Sequence, residues 1–174
     1  MFKYRDQKST IETKLYNKIL VLSRNKIFYT KFGLSDTFQN RINLIFLHIS
    51  FLFNKLNFKN KNISQKKLNQ KVFDLTFQKI ELNMREIGYG DVTVNKNMKF
   101  LVKIFYNILL NSESYNKKDA GDKKLFLINY LSLVNKEKDA NNVGLIEYFD
   151  KYQAFCFDLS LDNVVQGDIN FTFK

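Results

Sequence analysis

Residues 84–106 read MREIGYGDVTVNKNMKFLVKIFY and combine a helix end, a two-glycine turn and the start of a second helix. Gly88 and Gly90 lack a Cβ atom and can take positive φ values, so they predict a sharp end to the first helix. Asp91 follows at the start of the second helix, where its carboxylate can accept backbone N–H groups or face a partner. The stretch therefore predicts a helical hairpin with a charged tip.

Outside this hairpin, apolar residues recur at steps of three and four, which is typical of amphipathic helices. The chain has no proline, and its six glycines fall where helices could end. Its 174 residues fit one domain, 1–174, predicted to be an all-α bundle of about six helices with a short extended C-terminal tail. The helices are expected near residues 10–24, 36–58 and 64–88, from 93 or 95 through 108, around 127–134, and over 144–161, before the alternating tail INFTFK at 169–174.

The second predicted helix is apolar nearly all the way round. Asp36 followed by Gln39 suggests a capping box at its start. The run LIFLHISFLF at 44–53 is about half a membrane span, so we expect a helix buried in a core. Such a helix is either central to the bundle or offers one side to an apolar partner.

Residue types used in catalysis and metal binding are scarce. The single cysteine, Cys156, lies between phenylalanines and is predicted to be a buried apolar residue. The single histidine, His48, lies in the apolar run and is expected to bond a neighbouring carbonyl. No phosphate-binding glycine motif is present, and the acids are scattered. We therefore predict no enzyme activity, no catalytic residue, no metal and no cofactor.

The net charge is +11, from 28 basic and 17 acidic residues. Six lysines and no acid lie within 55–71, a pattern that suits anionic lipid, ribosomal RNA or an acidic protein surface. The alternative is solubility combined with AT-rich codon usage. The predicted contacts to an anionic surface are Lys55, Lys59, Lys61, Lys66 and Lys67. The first residues lack an apolar signal core and are not acid-poor like a transit peptide, so we expect a reducing, cytoplasm-like compartment.

Charged residues surround the two-glycine turn. Arg85 and Glu86 precede it, and Lys96 and Lys99 follow it, so a hairpin would gather them with Asp91 near one end of the domain. Two interpretations remain open, a solvated loop or a docking surface that sets the register of a protein partner. Arg41, on the second helix, is expected to snorkel or to form an ion pair with Asp36 or Glu86.

Two ordered motifs stand in the best-matching region, residues 28–106. The first is D-T-F-x-x-R-x-x-L, and the second is R-E-x-G-x-G-D followed by V-x-K-x-M-K and F-Y. Together they resemble the ubiquinol–cytochrome c chaperone family, the assembly factors of the cytochrome bc complex. The matching residues are Asp36, Thr37, Phe38, Arg41, Phe77, Arg85, Glu86, Gly88, Gly90, Asp91, Val94, Lys96, Met98, Lys99, Phe105 and Tyr106.

The resemblance implies a non-enzymatic chaperone that binds newly made cytochrome b during biogenesis of the ubiquinol–cytochrome c reductase complex. Mitochondrial relatives act beside the ribosome and the inner membrane with a small partner protein. A bacterial member would be cytoplasmic and associate transiently with the inner face of the membrane, whereas an organellar one would lie in the mitochondrial matrix. The implied partner-binding residues are Asp36, Arg41, Arg85, Glu86, Gly88, Gly90, Asp91, Lys96, Lys99 and Tyr106.

Two other classes of function fit the composition. A basic helical nucleic-acid-binding protein would account for the net charge, but no recognition motif accompanies it, so no specific nucleic-acid sequence is predicted as a partner. A helical carrier of a lipid or other apolar ligand would account for the 18 phenylalanines, although core packing in a chain with AT-biased codon usage is the preferred explanation.

Overall fold

The computed structural model of the protein describes residues 10–56, 63–134 and 139–173. Over these residues the chain is helical and contains no strand, only one isolated antiparallel bridge between Leu34 and Leu133. The predicted all-α class is confirmed. The helices are α1 (Ile11–Ser23), α2 (Ile27–Thr30), α3 (Phe38–Lys55), α4 (Ile63–Glu86), α5 (Asp91–Ser112), α6 (Ala120–Tyr130), α7 (Asp139–Asp158) and α8 (Leu161–Gln166), with a 3-10 turn at Tyr115–Lys117.

Helix α3 lies at the centre of the bundle. Every residue from Ile42 to Phe53 is buried, and α3 packs against α1, α5 and α7. Of the two interpretations of its all-round apolar surface, the central position is therefore the correct one. The sequence of α3 accounts for this central position, because nearly every side chain from Ile42 to Phe53 is apolar and the run contains no proline or glycine.

The predicted capping box of α3 is wrong. Thr37, rather than Asp36, is the N-cap residue, and its Oγ1 atom accepts the Asn40 N–H at 3.2 Å. Gln39 does not reach back to the cap, since its amide donates to Asn43 Oδ1 at 2.9 Å. The Asp36 side chain is not needed as a cap, because the Thr37 hydroxyl already accepts the Asn40 N–H.

Other predicted boundaries also differ from the structure, and α6 and α7 begin earlier than expected, at Ala120 and Asp139. Helix α5 begins at Asp91, before the predicted start, because the carbonyl of Gly90 already accepts the Val94 N–H at 3.0 Å. Helix α6 ends at Tyr130 and does not continue to residue 134, since the chain turns extended and pairs with residues 33–35. The sixth predicted helix, 144–161, is α7 and ends at Asp158, and a separate short helix, α8, follows it.

The C-terminal tail alternates as predicted. Ile169 is buried, Phe171 and Phe173 pack against the core, and the intervening Asn170 and Thr172 are exposed. Ring centroids of Phe171 and Tyr148 lie 5.5 Å apart, so the tail covers α7. The aromatic residues of this chain are thus used extensively in core packing.

His48 is a fully buried histidine within α3. Its Nδ1 atom lies 2.6 Å from the Leu44 carbonyl, which can only accept, so Nδ1 carries the proton. Its Nε2 atom, 2.8 Å from the Tyr148 hydroxyl, must then accept from that group. Burial lowers the pKa of His48 from 6.5 to about 4, so the ring is neutral at pH 7. The expected carbonyl bond is confirmed.

Cys156 is also a core residue, as predicted. Its side chain is buried on α7 and forms no disulfide. Burial raises the pKa of the Cys156 thiol to about 12, so the thiol is protonated at neutral pH.

Acid is expected to destabilise the protein through His48. The unfolded chain binds a proton below pH 6.5 while the folded chain resists until about pH 4, so stability falls as the pH drops through that window. The loss amounts to about 3 kcal/mol. Urea unfolding followed by circular dichroism at pH 7, 6, 5 and 4 measures it.

The variant His48→Gln is the control for this measurement, because its amide can also donate and accept hydrogen bonds at the site but does not titrate. Its carboxylates contribute the same acid dependence as those of the wild type. An equal loss of stability in both proteins over this pH range would contradict the assignment to His48.

Candidate functional site

Gly88 ends helix α4 and lies in the turn that leads to α5. This residue has a φ of +94°, a value that side-chain-bearing residues rarely adopt. The Tyr89 N–H bonds the Met84 carbonyl and the Gly88 N–H bonds the Arg85 carbonyl, both at 3.0 Å. These two bonds form the Schellman arrangement that ends many helices. The predicted helix stop at Gly88 is confirmed.

Arg85 joins the two helices of this hairpin. Its guanidinium bonds Glu81 within α4, with Nη2 and Oε1 2.9 Å apart, and also bonds the Asp91 carboxylate at the start of α5. The bond to Asp91, followed by that to Glu81, raises the pKa of Arg85 above its ordinary value. Glu81 was not predicted as a site residue, although its position four residues before Arg85 is a recognisable signal for a helical ion pair.

Asp91 does not cap its own helix. The N-cap position of α5 is taken by Gly90, which has extended backbone angles and no side chain to offer. The Asp91 carboxylate is 80% exposed and bound to Arg85. The expected bonds from backbone N–H groups to Asp91 are therefore not formed. Its carboxylate instead forms an ion pair with Arg85 on the outside of the hairpin.

Asp36 and Arg41 form a second exposed ion pair. Nε of Arg41 lies 2.7 Å from Oδ1 of Asp36, and Nη2 lies 2.8 Å from Oδ2. The hydrogen bonds from Arg41 lower the pKa of the Asp36 carboxyl. Of the partners predicted for Arg41, the structure selects Asp36. A solvated pair of this kind contributes little to stability. Because both side chains are exposed, their charges are accessible to a partner.

A cavity of about 270 Å³ opens between α3, α4 and α5. Three aromatic rings form much of its wall, with centroid distances of 5.3 Å from Phe73 to Phe105 and 5.9 Å from Phe73 to Tyr106. Its lining consists of Phe53, Lys66, Asn69, Gln70, Phe73, Phe105 and Tyr106. Tyr106 from the predicted partner-binding set and Lys66 from the predicted anionic-contact set therefore meet at one cavity.

Asn69 supplies the polar feature of this cavity. Its side chain is buried, and its Oδ1 atom accepts no hydrogen bond from any residue the structure describes. A buried acceptor without a donor costs about 1–3 kcal/mol. An incoming N–H or O–H group from a bound partner would supply the missing donor. Asn69 and its neighbour Gln70 carry no motif in the sequence that would have identified them.

The remaining predicted site residues differ in how far their side chains are exposed to solvent. Glu86, Lys96, Lys99, Lys66 and Lys67 are exposed. Lys55 is partly buried, and its Nζ atom bonds the Phe157 carbonyl at the end of α7, so this lysine is used within the fold. Lys59 and Lys61 lie outside the described residues.

Among the residues that the structure describes, no group of three or more His, Cys, Asp or Glu side chains could hold a metal ion. No helix among them is both long enough and apolar enough to span a bilayer.

Fold and site together define an all-α protein whose distinctive surfaces are paired charges and an aromatic cavity, features suited to binding. The family model described as ubiquinol–cytochrome C chaperone matches residues 30–171. This chain therefore belongs to the ubiquinol–cytochrome c chaperone family. The crystal structure of the Cbp3 homolog from Brucella abortus is similar, with a TM-score of 0.80 and 24% sequence identity over 94% of this chain and 89% of that one. Comparison with curated proteins gives no match.

Proposed function

We propose that the protein is a non-enzymatic assembly chaperone that binds newly made cytochrome b during biogenesis of the ubiquinol–cytochrome c reductase complex. The observation that carries the proposal is the family match over residues 30–171, which includes both the paired charges and the cavity. Binding of an unassembled apolar client requires accessible contacts rather than catalytic groups, and the candidate site offers such contacts.

The cavity between α3, α4 and α5 is the proposed point of insertion. Its volume of about 270 Å³ suits one or two large apolar side chains, and its aromatic wall excludes water from them. The unbonded Asn69 Oδ1 atom would accept an N–H or O–H group that enters with the client. An apolar client segment with one donor group therefore fits this site better than a charged one.

The hairpin tip supplies fixed charges beside these apolar contacts. Arg85 is held by Glu81 and Asp91, so it does not have to be ordered when a partner binds. Asp36 and Arg41 present a second ordered pair. Charges held in this way contribute more to register and to partner choice than to affinity.

The wider partners follow from the same proposal. The ribosome and a small partner protein would bring the chaperone to the nascent client. A position at the inner face of a bacterial membrane, or in the matrix for an organellar protein, would place it where cytochrome b is inserted.

Deletion of the gene is expected to reduce the content of cytochrome bc complex in membranes. Reduced-minus-oxidised haem spectra measure that content directly. Plasmid-borne wild-type protein should restore it. Normal haem absorbance in the deletion strain would refute the proposed function.

The variant Asn69→Leu is expected to separate binding from folding. It removes a buried acceptor without a donor, so its free energy of unfolding should be unchanged or higher by about 1 kcal/mol. Capture of newly made cytochrome b by the tagged variant should nevertheless fall, because the client loses a hydrogen-bond acceptor and part of the cavity. Pull-down after pulse labelling, together with urea unfolding, measures both quantities.

Asn129→Leu is the matched control for this variant, since it makes the same chemical change at an exposed position of α6. It should leave capture unchanged. Undiminished capture by a folded Asn69→Leu protein would exclude the cavity as the client site, while leaving the deletion experiment to decide the function itself.

Charge reversal at the hairpin tip is expected to weaken client capture. Arg85→Glu removes both ion pairs and brings a third acidic group next to Glu81 and Asp91. The three carboxylates repel one another, so the hairpin tip loses its fixed geometry. Lys79→Glu changes the net charge equally at another exposed position of α4 and should bind normally. The pull-down compares the two proteins after circular dichroism has shown that both are helical. Equal capture by both would show that the tip is not a docking edge.

A further inference from the structure

The outward side of α5 carries apolar residues that are exposed to solvent. Val92, Phe100, Tyr106 and Leu110 are exposed by 85%, 57%, 40% and 58% respectively. Helical geometry of 3.6 residues per turn places these four on one side of the helix. The side is about 27 Å long from Val92 to Leu110 at 1.5 Å per residue. We define the outer face of α5 as these residues together with the lysines between them.

Three exposed lysines, Lys96, Lys99 and Lys103, lie on the same face. Between residues 92 and 110 the helix contains no acidic residue. The carboxylates of Glu81 and Asp91, near the hairpin tip, are both bound to Arg85. The lysines of the outer face are therefore left without a counter-charge on their own helix.

The opposite side of α5 is fixed in the core. Val94, Leu101, Phe105 and Ile108 are buried there, and α5 packs extensively on the central helix α3. The helix cannot rotate to bury its outer face without exposing these four residues. The outer face therefore stays exposed. Elsewhere in the described part of the chain, exposed apolar residues do not form a comparable row along one helix.

We propose that the outer face of α5 docks onto a membrane surface that contains anionic lipid. Lysine ammonium groups complement lipid phosphates, and their long aliphatic chains allow the charges to reach the headgroups while the neighbouring apolar side chains enter the acyl boundary. Tyrosine suits that boundary because its ring is apolar and its hydroxyl is polar. The alternating apolar and cationic residues match a lipid surface better than an RNA backbone, which would satisfy the lysines but leave Val92 and Leu110 exposed to water.

The cationic surface continues beyond α5. Lys66, at the start of α4, lines the same cavity as Tyr106 and is exposed, as is Lys67 beside it. These two lysines were expected from the sequence to contact an anionic surface, whereas Lys103 and the apolar residues of the outer face were not. The proposed docking surface therefore runs from the lysines of the outer face of α5 towards the beginning of α4.

Co-sedimentation of the purified full chain with lipid vesicles tests the proposal. Vesicles of phosphatidylcholine mixed with phosphatidylglycerol should bind the protein, and vesicles of phosphatidylcholine alone should bind it at least about tenfold more weakly. Charge reversal of three residues, Lys96→Glu, Lys99→Glu and Lys103→Glu together, should weaken binding to the anionic vesicles by about tenfold or more. Phe100→Ser with Leu110→Ser should weaken it several-fold at unchanged net charge.

A second triple variant, Lys26→Glu, Lys79→Glu and Lys117→Glu, is the matched control, because it alters net charge equally at exposed positions away from α5. It should lose much less affinity than the α5 variant. If charge reversal on α5 disturbs folding, the neutral changes Lys96→Gln, Lys99→Gln and Lys103→Gln give the same comparison with a smaller loss.

Three results would overturn the proposal. These are no binding to anionic vesicles, equal losses in the two triple variants, or binding of a structureless RNA probe in preference to the vesicles. The proposed docking surface rests on the membrane position included in the proposed function. The measurement uses no cytochrome b, so its failure can be told apart from a failure of the proposed chaperone activity. Its failure would leave the deletion experiment unaffected.

Discussion

Helix α3 is buried on every side between Ile42 and Phe53, and this burial sets where the other helices pack. Polar groups on α3 lose water on folding and need partners from other elements. Asn40 bonds the backbone of Ser132 after α6, and Asn54 bonds the Ser112 hydroxyl at the end of α5. His48 bonds Tyr148 on α7. Apolar burial thus supplies the driving force, while these bonds specify which neighbour lies at each height along α3.

The α4–α5 hairpin uses this central helix as a base and presents its own features outward. Phe105 packs its ring against Phe46 of α3 at a centroid distance of 5.4 Å, whereas the adjacent Tyr106 is directed to the cavity rim. Successive residues on a helix differ by 100° in direction, so neighbours serve the core and the surface in turn. A rigid hairpin of this kind holds binding groups in place before a partner arrives, which reduces the entropy lost on binding.

The sequence allowed prediction of the six longer helices because each has enough turns to show an apolar period. Helices α2 and α8, of four and six residues, are too short for that signal. The Asp36–Arg41 pair was among the predicted pairings, but the capping box was wrong because Asp36 and Thr37 are both good N-cap residues in adjacent positions. The bond from Lys55 to Phe157 joins residues 102 apart, and the cavity at Asn69 needs three helices to assemble. Local patterns do not encode either one.

Tyr106 belongs both to the wall of the cavity and to the outer face of α5. Under the two proposals, client binding and membrane docking therefore occur on the same side of the molecule. A chaperone docked in this orientation would have its cavity entrance near the lipid headgroups, where an apolar client segment leaves or enters the bilayer. The distance over which that segment is exposed to water would be short, and the apolar area requiring protection correspondingly small. A cavity of about 270 Å³ could then suffice for a much larger client, since the bilayer would cover the rest.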